Sequence, residues 1–576
     1  MKTRVLAFCV LAAAVTGAVA QTTDLAAEGK AWWAHIQYLA DDRLEGRNVG
    51  TPGFEAALQY VEGQFQKIGL KPAGDKGYRQ TVMLENRALV PADTKIALVR
   101  NGAEQALAVG QDASISARGE LNGSLEAPMV FLGYGMSIPE AGWDDLAGQN
   151  LKGKIAVYIN AFPPVTVSDN VRSHVNTADE RWLALKRAGA IGVATIAAPR
   201  AGAAGNRGAG PGNTGRGGAA AATLPPTPTP TATATPTPAT TPPAAGGGPG
   251  RAAGPAPLVA IADRTLEDAA GEAVAMSLTA RGAAALLEGT DHTLEGLQQL
   301  VTDGKPLPRF AIPGTLKVHA TLNREPLPSA NVVGILEGSD PVLKSEYVIM
   351  SGHLDHVGIG RAVNGDAIFN GAMDDASGVA SIIETARLLK APGVTTKRSI
   401  IFLAVTAEEK GLLGSTYFAG KPTVPFKQIV ADINLDMFLP LYALKVIEVQ
   451  GLAESSLGET VRAAAKSLGV DVQTDREPEQ NRFIRSDQYS FIRRGVPALA
   501  FKFGYEFGSP EETTRRNWVR DIYHKPSDDL NQPVNLEAAA LFNRVIMTLL
   551  QRVANDTARP SWNSDSFFKR FSTVGR

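Results

Sequence analysis

After Arg324 the chain alternates between two textures. Five apolar runs of strand length, "EYVIMSGHLDHVG", "RSIIFLAVTAEEKG", "QIVADINLDMF", "LKVIEVQG" and "VPALAFKFG", are interspersed with helical patterns at 376–390 and 457–468, and a last helical pattern follows at 535–555. A strand that is apolar at consecutive positions cannot leave one face in water, so these runs belong to a sheet covered on both sides. The alternation predicts an α/β fold with a mixed central sheet and helices on both faces. In such sheets ligand sites collect just beyond the carboxyl ends of the strands.

Upstream, "GFEAALQYVEGQFQKIGLKP" has helical spacing and closes at Gly69 and Pro72. From about 81 to 161 short β-branched runs such as "TKIALVR", "APMVFLGYG" and "GKIAVYIN" read as strands, and "ERWLALKRAGAIGVATI" as a helix and a strand. The tract 200–256 is Gly, Pro and Thr without periodicity, a composition that buries too little surface to offset ordering, and reads as disordered. At 576 residues the chain exceeds one ordinary core. The expected organisation is a signal segment at 1–20, the first part of one domain at 21–90, and an inserted β-rich domain at 91–324. The main part of the first domain follows at 325–560, with a tail at 561–576.

The start "MKTRVLAFCVLAAAVTGAVAQ" has a basic end, a short apolar run and Ala18-Val19-Ala20 before Gln21. That pattern predicts export to the periplasm or the outside, with cleavage near Ala20 and no membrane span in the mature chain. The one cysteine, Cys9, lies inside this segment, so the mature chain must be held by its core and by metal rather than by disulfides. A net charge of −1 implies no broad attraction to nucleic acid.

Polar residues gather at the predicted strand ends: His353 and Asp355, Glu408 and Glu409, Asp436, the pair Asp374-Asp375 at the mouth of a helix, and His524 in a loop. Each alone has a structural explanation, a cap or a surface carboxylate. Together they form the histidine and carboxylate set of one or two zinc-like ions. Two ions about 3.5–4 Å apart need a shared carboxylate, and Asp374 is placed for it, with Asp375 capping the helix or holding the loop. His35, His174, His292 and His319 read as structural. His356 reads as a residue outside the ligand set, supporting it or lying at the surface.

The run "SGHLDHVG", "NGAMDDASGVA", "AEEKGLLGS", "NLDMF" and "YHKPSDD", in that order, resembles the secreted dizinc aminopeptidases, family twenty-eight of the metallopeptidases, and "YLADDRLEGRNVGTPG" resembles their N-terminal segment. The β-rich region at 121–280 is similar to the protease-associated domain that many members carry. The resemblance implies a zinc exopeptidase fold, two zinc ions per chain and a peptide substrate. It makes Asp374 the bridge, with His353 and Asp436 on one ion and Glu409 and His524 on the other. It further implies that Asp355 orients the His353 ring, Glu408 is the general base, Tyr523 steadies the developing oxyanion, and Arg485 lies at the substrate pocket. Members often carry histidine where this chain has Gln488.

On that reading the chain removes N-terminal residues from peptides. The alternatives are a carboxypeptidase, with Arg476, Arg482, Arg485, Arg493 and Arg494 as candidate carboxylate clamps, a single-zinc glutaminyl cyclase-like enzyme on the same fold, and a non-catalytic receptor-like binding protein. Composition and motifs leave the oligomeric state open.

Overall fold

In the strand Ser399–Val405 every residue is buried, yet its side chains divide between two cores. Ile400, Phe402 and Ala404 join a large cluster with Trp32, Phe65, Ile382, Ile383 and Phe542. Ile401, Leu403 and Val405 pack the other way, against Phe418, Phe491 and Val496. Alternation of side chains across a strand makes this division, and it requires helices on both faces. On one face lie Leu25–Leu39, Pro52–Ile68, Ser377–Leu389 and Leu536–Asn555; on the other lie Leu413–Gly420 and Gln488–Ile492.

The computed structural model describes residues 24–199 and 257–573; the expected signal segment 1–20 and the tract 200–256 lie outside the described residues. The main sheet runs Leu258–Ile261, Arg79–Leu89, Leu322–Leu336, Ser399–Val405, Tyr347–His353, Ile429–Asn434, Ala498–Phe503, Val446–Gln450, Asp471–Thr474, with Lys71–Pro72 added beside Leu322–Leu336. Its four central strands are parallel, and the strands on either side of them pair antiparallel to them, so the sheet is mixed. All five apolar runs are strands of this sheet. Parallel pairing brings the carboxyl ends of Tyr347–His353, Ser399–Val405 and Ile429–Asn434 to one edge.

A second sheet of eight strands, from Lys95–Arg100 to Phe310–Ala320 in the chain, has its own core around Met129, Phe131, Ile155, Val157 and Leu286. The expected insertion is not wholly separate from the first domain: Leu258–Ile261, inside the 91–324 span, pairs antiparallel with Arg79–Leu89 of the main sheet. The two bodies also meet where Asn170 donates to Glu454 at 2.8 Å and His174 Nδ1 lies 2.5 Å from the Tyr489 hydroxyl. Among the described residues no helix is long and apolar enough to cross a membrane.

The segment expected as a tail is instead packed. Trp562 and Phe568 are buried with Phe483, Ile484 and Ile492, and the Trp562 indole donates to the Gly495 carbonyl at 2.9 Å. Phe568→Ala should therefore destabilise the fold by about 3–5 kcal/mol, the range for truncating a buried aromatic ring. Urea unfolding checks this, and an unchanged midpoint would mean that the segment is loosely attached.

Candidate metal centre

His353 closes its strand, Glu408 and Glu409 follow Ser399–Val405, Asp436 lies just past Ile429–Asn434, and Asp374 precedes the helix Ser377–Leu389. His524 reaches them from the loop after the helix Pro510–Asp521. Asp374 sits between two histidines, with Oδ1 3.2 Å from His353 Nε2 and Oδ2 3.1 Å from His524 Nε2. Asp436 Oδ1 is 4.0 Å from His353 Nε2, and Glu409 Oε1 is 3.3 Å from His524 Nε2. The expected ligands thus converge as two half-sites sharing one carboxylate.

Neighbouring groups hold these residues by their main chain. The carboxylate of Asp375 accepts from the amides of Gly378 at 2.9 Å, Met437 at 3.2 Å and His353 at 3.3 Å. It both caps the helix and ties three segments of the site, while the Asp374 carboxylate is left to the histidines. Asp355 differs from expectation. Its main-chain carbonyl, not its carboxylate, faces His353 Nδ1 at 3.0 Å, and its carboxylate accepts from the amides of Glu408 at 3.0 Å and Glu409 at 3.3 Å. With those two amides unpaired at the end of their strand, the carboxylate is drawn to them, and so it sets the backbone of the two glutamates.

Three further residues take part that the sequence reading passed over. Asp528 accepts from the amides of Met373 at 2.9 Å and Asp374 at 3.0 Å. Arg47 is fully buried and donates to the carbonyls of Leu39, Leu354, Asn370 and Gly371, clasping the two segments that carry His353 and Asp374. Lys502 is buried and donates to the Asp436 carbonyl at 2.5 Å. Burial lowers the Arg47 pKa to about 10 against the pull of Asp528, Asp374, Asp355 and Asp375, so it remains a cation at neutral pH.

The charges reinforce one another. Burial pushes the Asp374 carboxyl up, but the close approach of His353 and His524 and the charge of His356 outweigh this and hold it well below the usual range. Burial and the Asp374 charge push Glu409 up, but His356 and His524 pull it below the ordinary value. Burial lowers His524, yet its contacts with Asp374 and Glu409 raise it to about 11. Glu408 is driven well above the ordinary carboxyl value by burial, with the carboxylates of Glu409, Asp487 and Asp436 adding to it against His353.

Donor atoms remain unpaired. Asp374 Oδ2, Glu409 Oε1, Asp436 Oδ1 and both ring nitrogens of His356 are buried without an aligned hydrogen bond. Each such group costs roughly 1–3 kcal/mol, and carboxylate oxygens and imidazole nitrogens turned inward suit divalent cations. The ligand atoms of His353, Asp374 and Asp436 lie within 4.8 Å of one another, and so do those of His356, Asp374 and Glu409.

Residues 331–550 match the model of peptidase family M28. Over that span the chain is similar to peptidase family M28. It is 29% identical over 304 residues to the probable leucine aminopeptidase 2 of Aspergillus oryzae, covering 50% of this chain and 58% of that protein. To aminopeptidase YwaD of Bacillus subtilis it is 28% identical over 244 residues, 40% of this chain and 47% of that protein. The chain thus spans about half the length of these curated relatives. Among solved structures, the aminopeptidase from Aneurinibacillus sp. strain AM-1 aligns with a TM-score of 0.45 and 18% identity, over 92% of this chain and 95% of that one.

Within the matched span, Tyr523 stacks on His524 with ring centroids 3.9 Å apart. Burial and the nearby carboxylates of Asp374, Glu409, Asp436 and Glu408 keep its hydroxyl protonated far above neutrality. Arg485 is exposed and donates to the Gln480 carbonyl at 3.3 Å, which turns its guanidinium into its own loop. Gln488 accepts from Asn434 at 2.7 Å and donates to the Phe483 carbonyl at 3.0 Å, bracing the strand that precedes Asp436. His35 pairs with Tyr60 at 2.8 Å, His319 with Ser124 at 2.8 Å, and His292 stacks on Phe310. His356, expected outside the ligand set or at the surface, is fully buried, with Nδ1 2.8 Å from Glu409 Oε1.

The pH dependence of the metal-free protein follows from His524. Its folded-state pKa of about 11 lies above the ordinary 6.5, so its charged form stabilises the fold fully below about pH 6.5. That contribution fades as pH rises through about 11. Chelator-treated protein should therefore lose melting temperature over this window faster than a chelator-treated His524→Gln variant, as a thermal scan at each pH reads out. Parallel curves for the two proteins would contradict this electrostatic picture.

Proposed function

We propose that this chain is an exported zinc-dependent aminopeptidase that holds two zinc ions and removes N-terminal residues from peptides. The observation that carries the reading is Asp374, with one carboxylate oxygen turned to His353 and the other to His524. A carboxylate divided in this way between two half-sites is what a pair of ions requires. The ligands are His353, Asp374 and Asp436 for one ion and Asp374, Glu409 and His524 for the other. The second sheet is proposed as a protease-associated domain, and the N-terminal signature supports export with cleavage near Ala20.

Bound there, zinc ions supply Lewis acidity and lower the pKa of water toward neutrality. The protein's own groups do the rest. Glu408, raised by burial, is positioned by the Asp355 carboxylate through its amide and accepts a proton that it later hands to the leaving amine. The Tyr523 hydroxyl, held protonated, donates to the oxygen on which charge develops. The carboxylates of Asp374, Glu409 and Asp436, gathered in one place, give the site negative charge suited to the ammonium of a free N-terminus.

Four of the five arginines weighed for a carboxypeptidase are engaged elsewhere. Arg482 pairs with Glu477 at 2.7 Å, Arg493 with Glu180 at 2.9 Å, Arg476 with Glu506 at 3.4 Å, and Arg485 is bonded within its loop. A guanidinium already neutralised by a local carboxylate is a poor clamp for a second one.

The test uses peptides blocked at one end or the other, with wild type and Glu408→Gln. Wild type should cleave C-terminally amidated peptides at nearly the free-peptide rate and acetylated ones not at all. Glu408→Gln should lose at least about a hundredfold in turnover, the typical contribution of a general base, while zinc content stays at the wild-type level. Cleavage of acetylated but not amidated peptides would make the chain a carboxypeptidase.

A further inference from the structure

His356 stands out among the buried groups that the proposed mechanism leaves unused. It is 0% exposed, and neither ring nitrogen has a hydrogen-bond partner. Its Nδ1 lies 2.8 Å from Glu409 Oε1 and 3.8 Å from Asp374 Oδ2. The carboxylate oxygens are orphaned in the same way. An imidazole nitrogen and a carboxylate oxygen 2.8 Å apart would normally share a hydrogen bond. Here the two atoms approach without aligning, and the ligand atoms of His356, Glu409 and Asp374 all lie within 4.8 Å of one another.

We propose that His356 is a ligand of the ion held by Glu409 and His524, giving that ion four protein donors: Asp374, Glu409, His356 and His524. The proposal rests on the metal reading above and deepens it. Zinc–ligand bonds of about 2.0–2.2 Å in a tetrahedron place neighbouring donor atoms about 3.3 Å apart. The measured edges bracket that value: 2.8 Å and 3.8 Å from His356, and 3.1 Å and 3.3 Å from His524. The two imidazoles do not compete for one position, because their ring centroids are 5.7 Å apart and the planes meet at 68°.

The surrounding chain is built to hold that ring. The His356 amide donates to the Arg47 carbonyl at 3.3 Å, while the Arg47 guanidinium holds the Leu354 carbonyl two residues earlier. On the other side Gly371 adopts φ 64°, and a Cβ there would meet the His356 ring at 2.6 Å. Only glycine permits both that backbone and that approach. The consequence is asymmetry. The ion on the His356 side is enclosed by four protein groups, whereas His353, Asp374 and Asp436 supply three to the other, whose open position is the one catalysis needs.

The test compares wild type, His356→Ala and His356→Gly by metal content and by the optical spectrum of the cobalt-loaded proteins. Metal content is measured after dialysis against graded chelator. Wild type should retain two ions. His356→Ala should release one of them at a chelator concentration at least about tenfold lower, the size expected for loss of a group that supports a metal. Because a group that only orients a ligand can produce the same loss, the spectrum decides between the two. On refilling His356→Ala with cobalt, the visible absorption should weaken as water replaces the imidazole and the coordination number rises. Added imidazole should restore both metal retention and band intensity in His356→Gly. An unchanged cobalt spectrum in refilled His356→Ala, or retention of both ions at wild-type chelator resistance, would overturn the assignment. Wild type that binds no ion at all would overturn the proposed function itself.

Discussion

The structure depends on how it tolerates like charge. Asp355, Asp374, Asp375, Glu408, Glu409, Asp436, Asp487 and Asp528 crowd beneath one sheet edge, five of them buried and the other three half-buried. Carboxylates taken out of water at such separations repel strongly, and the effect shows in Asp375 and Glu408, both pushed well above the ordinary carboxyl range by burial first. Asp487 is raised to about 7 for the same reason. Arg47, Lys502 and the histidines offset part of this charge. The unpaired oxygens that remain are of the kind that suits bound divalent cations.

Geometry under that load is set by the main chain. Parallel pairing of Tyr347–His353, Ser399–Val405 and Ile429–Asn434 delivers the segments that carry His353, Glu409 and Asp436 to one edge. Asp355, Asp375 and Asp528 then use their carboxylates on backbone amides, leaving Asp374 and Glu409 free to face the histidines. Arg47 extends the same logic from the N-terminal segment, binding the carbonyls of Leu354, Asn370 and Gly371 in the loops of His353 and Asp374. Residues doing this work are as necessary as the ligands, because an ångström of drift in Asp374 would separate the two half-sites.

Much of this was legible in the sequence. Doubly apolar strand runs alternating with helical spacing announce a covered sheet, and polar residues at the ends of those runs announce its active edge. Strand and helix boundaries placed His353, Asp374, Glu409, Asp436 and His524 among the candidates, and the resemblance of their motifs to the metallopeptidase family singled them out as the ligand set. What could not be read were contacts across hundreds of residues. Arg47 lies in a stretch whose local pattern says nothing of carbonyls more than three hundred residues away. That His356 is buried against Glu409 rather than at the surface could not be read either, because its position just past the strand end gives no indication of which way the ring turns. The backbone of Arg47 and the missing side chain of Gly371 decide that. Asp355 shows the same limit: spacing identified it as a neighbour of His353, but not that its carboxylate would prefer the amides of Glu408 and Glu409. The segment after 560 is short and lacks periodicity, yet Trp562 and Phe568 find an apolar surface that only the folded domain creates.

The central claim is that Asp374 joins two ions. A crystal of the zinc-loaded protein, measured at the zinc absorption edge, tests it most directly. The account predicts two anomalous peaks about 3.5–4 Å apart, one on each side of the Asp374 carboxylate. A single peak, or two peaks that do not share Asp374, would contradict it.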